Sequence, residues 1–313
     1  MPFNNIIDRA AAGALIPAET AAKVFTGVTE TSAIMKLATR AQDMPTNITI
    51  QPVLSSLPIA YFVNGDTGLK QTTDMAWGNV NFVAEEIAAI VPIPESVLSD
   101  SKYPIWEQVR PKMEEALGLA FDSAVLYGVN RPTTWPQAIV TAAAAAGHSI
   151  ALPAFADLYD ALLSDGGLIS LVEQDGFAAT GHLAPLRTKA RLRSVRDGNG
   201  NPIFRSGMQG KSGYELDGEP CIFPRNGLMN AANTIDVAGD WQQLLYCFRQ
   251  DLTWKLLTEA VIQDNAGNIV FNLAQQDMVA LRVVMRVAWQ LPNPVNRVNP
   301  NPATRYPFAI LTP

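Results

Sequence analysis

VALRVVMRVAWQL, residues 279–291, is apolar at every odd position: Val279, Leu281, Val283, Met285, Val287, Trp289 and Leu291. A period of two marks a strand, because successive side chains point to opposite faces. Arg282, Arg286 and Gln290 also fit one polar stripe of a helix, so periodicity alone leaves both readings open, and the valine content favours the strand. At roughly 3.3 Å per residue it would run about 40 Å, well beyond the common five or six residues.

Upstream, Ile105, Val109, Met113, Leu117, Ala120, Ala124 and Tyr127 recur three or four apart across residues 103–128. This spacing predicts a helix of about seven turns. Ser99 to Ser101 offer N-cap side chains and Gly128 ends the run. Pro111 removes one backbone donor inside it, so a kink or a restart is expected there. Before the helix, Ile48 and Ile50, then Asn81, Val83, Glu85, Ile87, Ala89, Val91 and Ile93 on alternate positions, read as one long two-stranded hairpin over residues 48–94. Its connection, residues 52–78, exceeds the roughly 12 to 15 residues beyond which loops are usually functional or disordered. Tyr61, Phe62, Leu69, Met75 and Trp77 lie on it, so a protruding loop would be left wanting a partner. Trp77 reads either as an anchor at such a contact or as a residue packed within its own subunit.

The first 45 residues are broken by Gly13, Pro17, Gly27 and Pro45, with short helical stretches such as 19–25 between. They read as an extended arm, disordered or laid across a neighbouring surface. Residues 129–240 are heterogeneous, with an alanine run at 142–146, a helical stretch at 154–163 and Gly166-Gly167, and read as a second, mixed α/β lobe. A long strand, a long helix and a long hairpin together predict an elongated, plate-like α+β subunit.

With 313 residues, 48% of them hydrophobic, the chain can bury a large core. Its formal charge of −6 argues against a surface that grips nucleic acid by neutralising phosphates. Cys221 and Cys247 sit in apolar company, as reduced thiols of a cytosolic protein would, with a single disulfide between them as the alternative. No apolar stretch approaches a membrane span, and the N-terminus lacks a basic start followed by a continuous apolar core.

Catalytic chemistry finds little support. The usual bases are limited to His148 and His182, with no Gly-x-Ser-x-Gly elbow. Gly210-Lys211-Ser212-Gly213 lacks the upstream glycine of a phosphate-binding loop and reads as a surface turn. There is no His-Glu-x-x-His or Cys-x-x-Cys spacing. Asp197-Gly198-Asn199-Gly200-Asn201 begins like a calcium loop, but Pro202 and Met208 occupy the positions that need glycine and glutamate, so it reads as a turn. Arg187, Lys189, Arg191, Arg193 and Arg196 form a basic cluster, which in an acidic chain reads as inter-subunit salt bridges or a solvated helix face in preference to a nucleic-acid contact.

This order of elements resembles the major capsid proteins of tailed phages with the Hong Kong 97 phage capsid fold. Leu15-Ile16-Pro17 and Gly27-Val28-Thr29-Glu30-Thr31-Ser32-Ala33 are similar to that family's N-terminal arm. Pro52-Val53-Leu54, Ala60-Tyr61-Phe62-Val63, Leu69-Lys70-Gln71-Thr72 and Trp77-Gly78-Asn79-Val80 resemble its extended loop. Ile90-Val91-Pro92-Ile93-Pro94-Glu95 resembles the return into the peripheral domain, and residues 116–128 its spine helix. Residues 183–204 and Leu216-Asp217-Gly218-Glu219-Pro220 resemble the axial domain. Gly239-Asp240-Trp241, Gln275-Gln276-Asp277 and Arg286-Val287-Ala288-Trp289 resemble the closing strands.

The resemblance implies an arm over 1–45, an extended hairpin loop over 46–94, a peripheral domain over 95–134 and 236–313, and a mixed α/β axial domain over 135–235. It implies a structural subunit that assembles through hexamers and pentamers into an icosahedral shell around the phage genome, in the virion capsid after assembly in the host cytoplasm. Tyr61, Phe62, Lys70 and Trp77 of the loop and Arg187, Arg191 and Arg193 of the axial domain are its expected subunit contacts. No catalytic, cofactor or metal residue is assigned. Partners would be the chain itself, a portal protein, and in some shells a decoration protein, with packaged DNA met only non-specifically and no membrane. The arm starts within about the first 25 residues, where some members carry a scaffold segment, so a separate scaffold protein, or none, is implied. Lys70 lies where some members carry a crosslinking lysine, but no asparagine or assisting glutamate is assigned to it. Two alternatives stand beside this reading: an encapsulin-like compartment shell of the same fold class, and a hydrolase using Ser212 or Cys247 with one of the histidines.

Overall fold

A computed structural model describes residues 32–63, 68–101, 105–196, 199–201, 215–230 and 232–313. The strand read from residues 279–291 runs Met278–Gln290 and lies inside a four-stranded sheet. In sheet order the strands are Thr39–Arg40, Leu245–Leu257, Met278–Gln290 and Glu85–Pro94. The three long strands are antiparallel, with Val283 between Trp254 and Ala89. Helix Ile105–Tyr127 lies on one face: Met113 and Leu117 pack with Leu281 and Val283, and Phe121 and Val125 join Met285, Val287 and Trp289. The odd positions therefore face the helix. Arg286 and Gln290 point the other way, where Arg286 Nη2 donates to Asn47 Oδ1 at 2.7 Å and Gln290 Nε2 to the Asn81 carbonyl at 3.1 Å.

The helix runs unbroken through Pro111, with no restart. Gly128 follows it at φ +74°, a conformation that glycine adopts without a side-chain clash. Ser99 and Ser101 belong to a separate short helix, Glu95–Asp100: Ser99 lies within it and Ser101 is its C-cap.

The hairpin is shorter than its alternation suggests. Ile48–Leu54 pairs with Trp77–Val83 in a two-stranded sheet of their own, and after the buried Ala84 the chain joins the four-stranded sheet as Glu85–Pro94. Alternation continues through Ala84 and so cannot report the change of partner. The described end of the expected arm packs against the subunit itself. Ala33–Leu37 is a helix with Ile34 and Met35 buried, Thr39–Arg40 pairs with Leu245 and Tyr246, and Met44 is buried. Residues 1–31 lie outside the described ones.

A second sheet has the strand order Ser149–Ala151, Phe308–Thr312, Asp236–Gly239, Gly181–Leu183, Glu219–Ile222 and Glu215–Leu216. Helices Leu158–Leu163, Leu168–Gln174 and Leu186–Ser194 share a core with it through Leu162, Leu168, Val172, Leu192, Ala238 and Leu311. The helical stretch expected from 154 begins at Leu158, because Asp157 caps it by accepting from the N–H groups of Tyr159 and Asp160. Two strands of this sheet, Asp236–Gly239 and Phe308–Thr312, come from the stretch that the sequence reading groups with the first lobe. A four- or five-residue strand carries no signal for which sheet it joins. Gly239 is crossed closely by Phe308: a Cβ there would fall 2.3 Å from the Phe308 ring and 2.4 Å from the Pro307 carbonyl. One buried cluster joins the lobes, with Trp289 and Phe121 from the first and Val237, Phe308 and Ile310 from the second.

At the start of helix Ala33–Leu37, Asp122 of the long helix is fully buried and accepts from Ser32 Oγ at 2.6 Å and from the Ala33 N–H at 2.8 Å. Burial pushes this carboxyl up from 3.8 to about 7, against the opposing pull of the Ser32 and backbone hydrogen bonds and the charge of Lys36. Between those values the folded chain holds a proton that the unfolded chain has released, so stability falls as pH rises through that window. Denaturant unfolding followed from pH 5 to 8 should show this loss in the wild type and a flatter profile in Asp122→Asn; equal slopes would refute the assignment. Gly239→Ala should destabilise by about 3 kcal/mol or more, because backbone and a buried ring block the added methyl. The same denaturation midpoints check it.

Candidate functional site

The two-stranded hairpin projects its apolar residues into solvent. Ile48, Ile50 and Trp77, the last 65% accessible, alternate along its strands. Beyond it the chain has no regular secondary structure in its described residues, yet its limbs remain tied. The Ser55 and Ser56 N–H groups donate to the Ala76 carbonyl, and the Ile59 N–H donates to Thr73 Oγ1 at 2.8 Å. Phe62 is fully exposed, Leu69 is 90% accessible, and Tyr61 and Lys70 are exposed as well. Tyr61, Phe62, Lys70 and Trp77 thus lie on one solvent-facing projection.

Between helix Ile105–Tyr127 and strand Glu85–Pro94 runs a groove of about 480 Å³, lined by Glu85, Glu86, Leu119, Ala120, Val129 and Pro132 among others. Sequence reasoning missed it. Its signal is the small-residue face of the helix (Ala116, Ala120, Ser123), of which the apolar periodicity registers only Ala120.

The basic residues lie on helix Leu186–Ser194, with Arg187 and Arg193 exposed and Arg191 half-buried. Among the described residues none of these three, nor Arg196, has a carboxylate partner. Arg193 and Arg196 instead donate to the helix's own carbonyls, those of Lys189 and Arg193. Two separate surfaces result, an apolar projection and a helix whose arginines face no carboxylate among the described residues.

The groups considered for catalysis are arranged otherwise. His182 Nδ1 lies 2.8 Å from Asp236 Oδ2, both fully buried. His148 Nε2 lies 3.1 Å from Asp175 Oδ2, and its Nδ1 lies 3.2 Å from the Phe308 carbonyl. Cys247 is in another cluster, with Met44, Phe82, Ala84 and Ala288, and is not joined to either histidine. Burial pushes its thiol up to about 11, with the charge of Asp43 adding to the effect. Cys221 sits beside His182 in the sheet, and burial and Asp236 push its thiol still higher, which leaves it a thiol and not a nucleophilic thiolate. Ser212, Pro202 and Met208 and the start of the Asp197 turn lie outside the described residues. Among the described residues no three His, Cys, Asp or Glu side chains cluster as a metal site, and no helix is long and apolar enough to cross a membrane.

Against known proteins, residues 12–296 match the model of the phage capsid family. Over 234 residues the chain is 26% identical to the major capsid protein of Staphylococcus phage 80alpha, covering 74% of this chain and 68% of that protein. Among solved structures, one from Microbacterium phage Oxtober96 superposes with a TM-score of 0.78 at 34% identity, covering 99% of this chain and 100% of the other. One from Mycobacterium phage Adephagia superposes with a TM-score of 0.76 at 29% identity, covering 99% and 98%.

Proposed function

Because the chain belongs to the phage capsid family and is a structural subunit of a capsid shell, we propose that its projecting loop is the clasp between neighbouring copies. Phe62 and Leu69 of one copy cover the groove beside the long helix of the next, and Lys70 faces the carboxylates of Glu85 and Glu86 on its rim. The observation that carries this reading is the row of exposed apolar side chains on a loop whose limbs are hydrogen-bonded to each other. A structured projection with Phe62 in water has something to gain only from a partner. Burying such a side chain contributes roughly 1.5–3 kcal/mol, and a shell repeats the contact at every subunit.

In this reading the lobe built on the second sheet is axial and lines the centre of hexamers and pentamers, with Arg187, Arg191 and Arg193 pairing with carboxylates of an adjacent copy. The lobe built on the long helix and long strands is peripheral. The shell forms in the host cytoplasm and encloses the genome in the virion, which a net charge of −6 suits because the wall then holds DNA only non-specifically. A separate scaffold protein, a portal and in some particles a decoration protein would complete the assembly. The chain works by packing, without cofactor or catalysis.

Expressed alone and viewed by negative-stain electron microscopy with sedimentation, the chain should give closed shells or rings of six and five. A chain that stays monomeric at high concentration, both alone and co-expressed with its phage's other head proteins, would overturn the proposal. Phe62→Ala should leave the unfolding midpoint unchanged but raise the concentration needed for assembly at least about tenfold, the consequence of losing 1.5 kcal/mol or more per contact. Light scattering against concentration reads this directly.

A further inference from the structure

We propose that Asp175 is a positioning residue for the projecting loop, acting through the irregular segment 291–307 that links the two sheets. Asp175 follows helix Leu168–Gln174 and is buried. Its Oδ1 accepts from Asn299 Nδ2 at 2.7 Å, its Oδ2 accepts from the Tyr306 N–H at 2.6 Å and faces His148 Nε2 at 3.1 Å, and its carbonyl accepts from Asn296 Nδ2 at 2.7 Å. Its neighbour Gly176, at φ +77°, lets the segment close: a Cβ there would fall 2.9 Å from the Val298 side chain.

The same stretch of the segment holds the loop from its other side. The Val295 N–H donates to the Leu54 carbonyl at 3.1 Å, and Arg297 Nη2 donates to the Pro58 carbonyl at 2.8 Å. Residues 295 and 297 thus bond the loop, while 296 and 298 meet the Asp175–Gly176 corner. A short segment bonded to the loop through Val295 and Arg297 and to the corner through Asn296 couples the two, because a shift of either strains the bonds to the other. Leu54 and Pro58 lie at the root of the limb that carries Tyr61 and Phe62, so the second lobe sets where the loop starts.

That loop position matters for assembly rests on the proposed function; that Asp175 controls it does not, and the unassembled chain tests it. Hydrogen exchange read by mass spectrometry over residues 53–60 should quicken about tenfold in Asp175→Ala, with strand Met278–Gln290 still protected. Asp175→Asn keeps the volume but turns donors toward donors, so it should behave alike and separate lost acceptors from lost bulk. Arg297→Ala, which cuts the route at an exposed residue, should quicken the same peptide without loosening 299–306. The double variant Asp175→Ala/Arg297→Ala should add nothing further. If Asp175→Asn loosens residues 296–306 while 53–60 exchange as before, Asp175 fixes only its own segment and the proposal fails. If the aspartate variants do not fold, an unchanged peptide 53–60 in Arg297→Ala overturns it alone. Failure of the wild type to assemble would count against the shell clasp and leave this result standing.

Discussion

Strand Met278–Gln290 is the constraint on which the rest of the first lobe depends. Hydrogen-bonded neighbours run along both of its edges, so its backbone is satisfied without water. Its faces are covered as well: the odd positions by the long helix, the even ones by Leu273 at one end and by Phe82, Ala84 and Met44 at the other. Thirteen residues of strand span about 43 Å and 23 residues of helix about 35 Å, so one helix can shield most of one strand. Matching lengths in two layers give a plate. The hairpin root is then tied by Asn47 and Asn81 to the polar residues that the strand turns away from the helix.

The second lobe is built from short strands and is held differently. Trp241 donates its indole N–H to the Gly181 carbonyl at 2.9 Å and packs edge-on against Phe308, with ring centroids 5.0 Å apart. Two buried His–Asp pairs span strands and segments distant in sequence, His182 with Asp236 and His148 with Asp175. Burying ionisable groups is costly, and such pairs add little net stability over an apolar packing. What they supply is a geometry that only one arrangement of the strands satisfies.

The sequence made much of this legible because the long elements are strongly periodic. Thirteen alternating residues around Val283 and the three-and-four spacing from Ile105 to Tyr127 each repeat often enough to outweigh local noise. Hidden features depended on partners. Alternation through Val83, Ala84 and Glu85 looks the same whether the strand keeps its neighbour or changes sheet. Ser32 to Met44 is too short to stand out from the broken first 45 residues, yet Ile34 and Met44 are buried by elements far along the chain. Phe308–Thr312 is too short to announce its sheet. Of the candidate site, the apolar loop residues were legible because their loop is too long to be a turn. The groove and Asp175 were not, since the groove is lined by ordinary alanines and Asp175 looks like any helix-ending aspartate.

An exposed Phe62, Leu69, Ile50 and Trp77 on a single chain would favour promiscuous association. The fold limits this in two ways. The apolar side chains sit on a projection set by the hairpin and by segment 291–307, so they meet a partner in few orientations. The net negative charge disfavours random close approach of copies, and a weak apolar clasp must then be repeated in a closed symmetric array before it prevails. Rigid positioning of the loop root matters more than the strength of any one contact, because an angular error at each subunit accumulates around a ring and a ring that cannot close exposes its clasps again. A fold that ties loop, long strand and second lobe through one short segment reduces that error at its source.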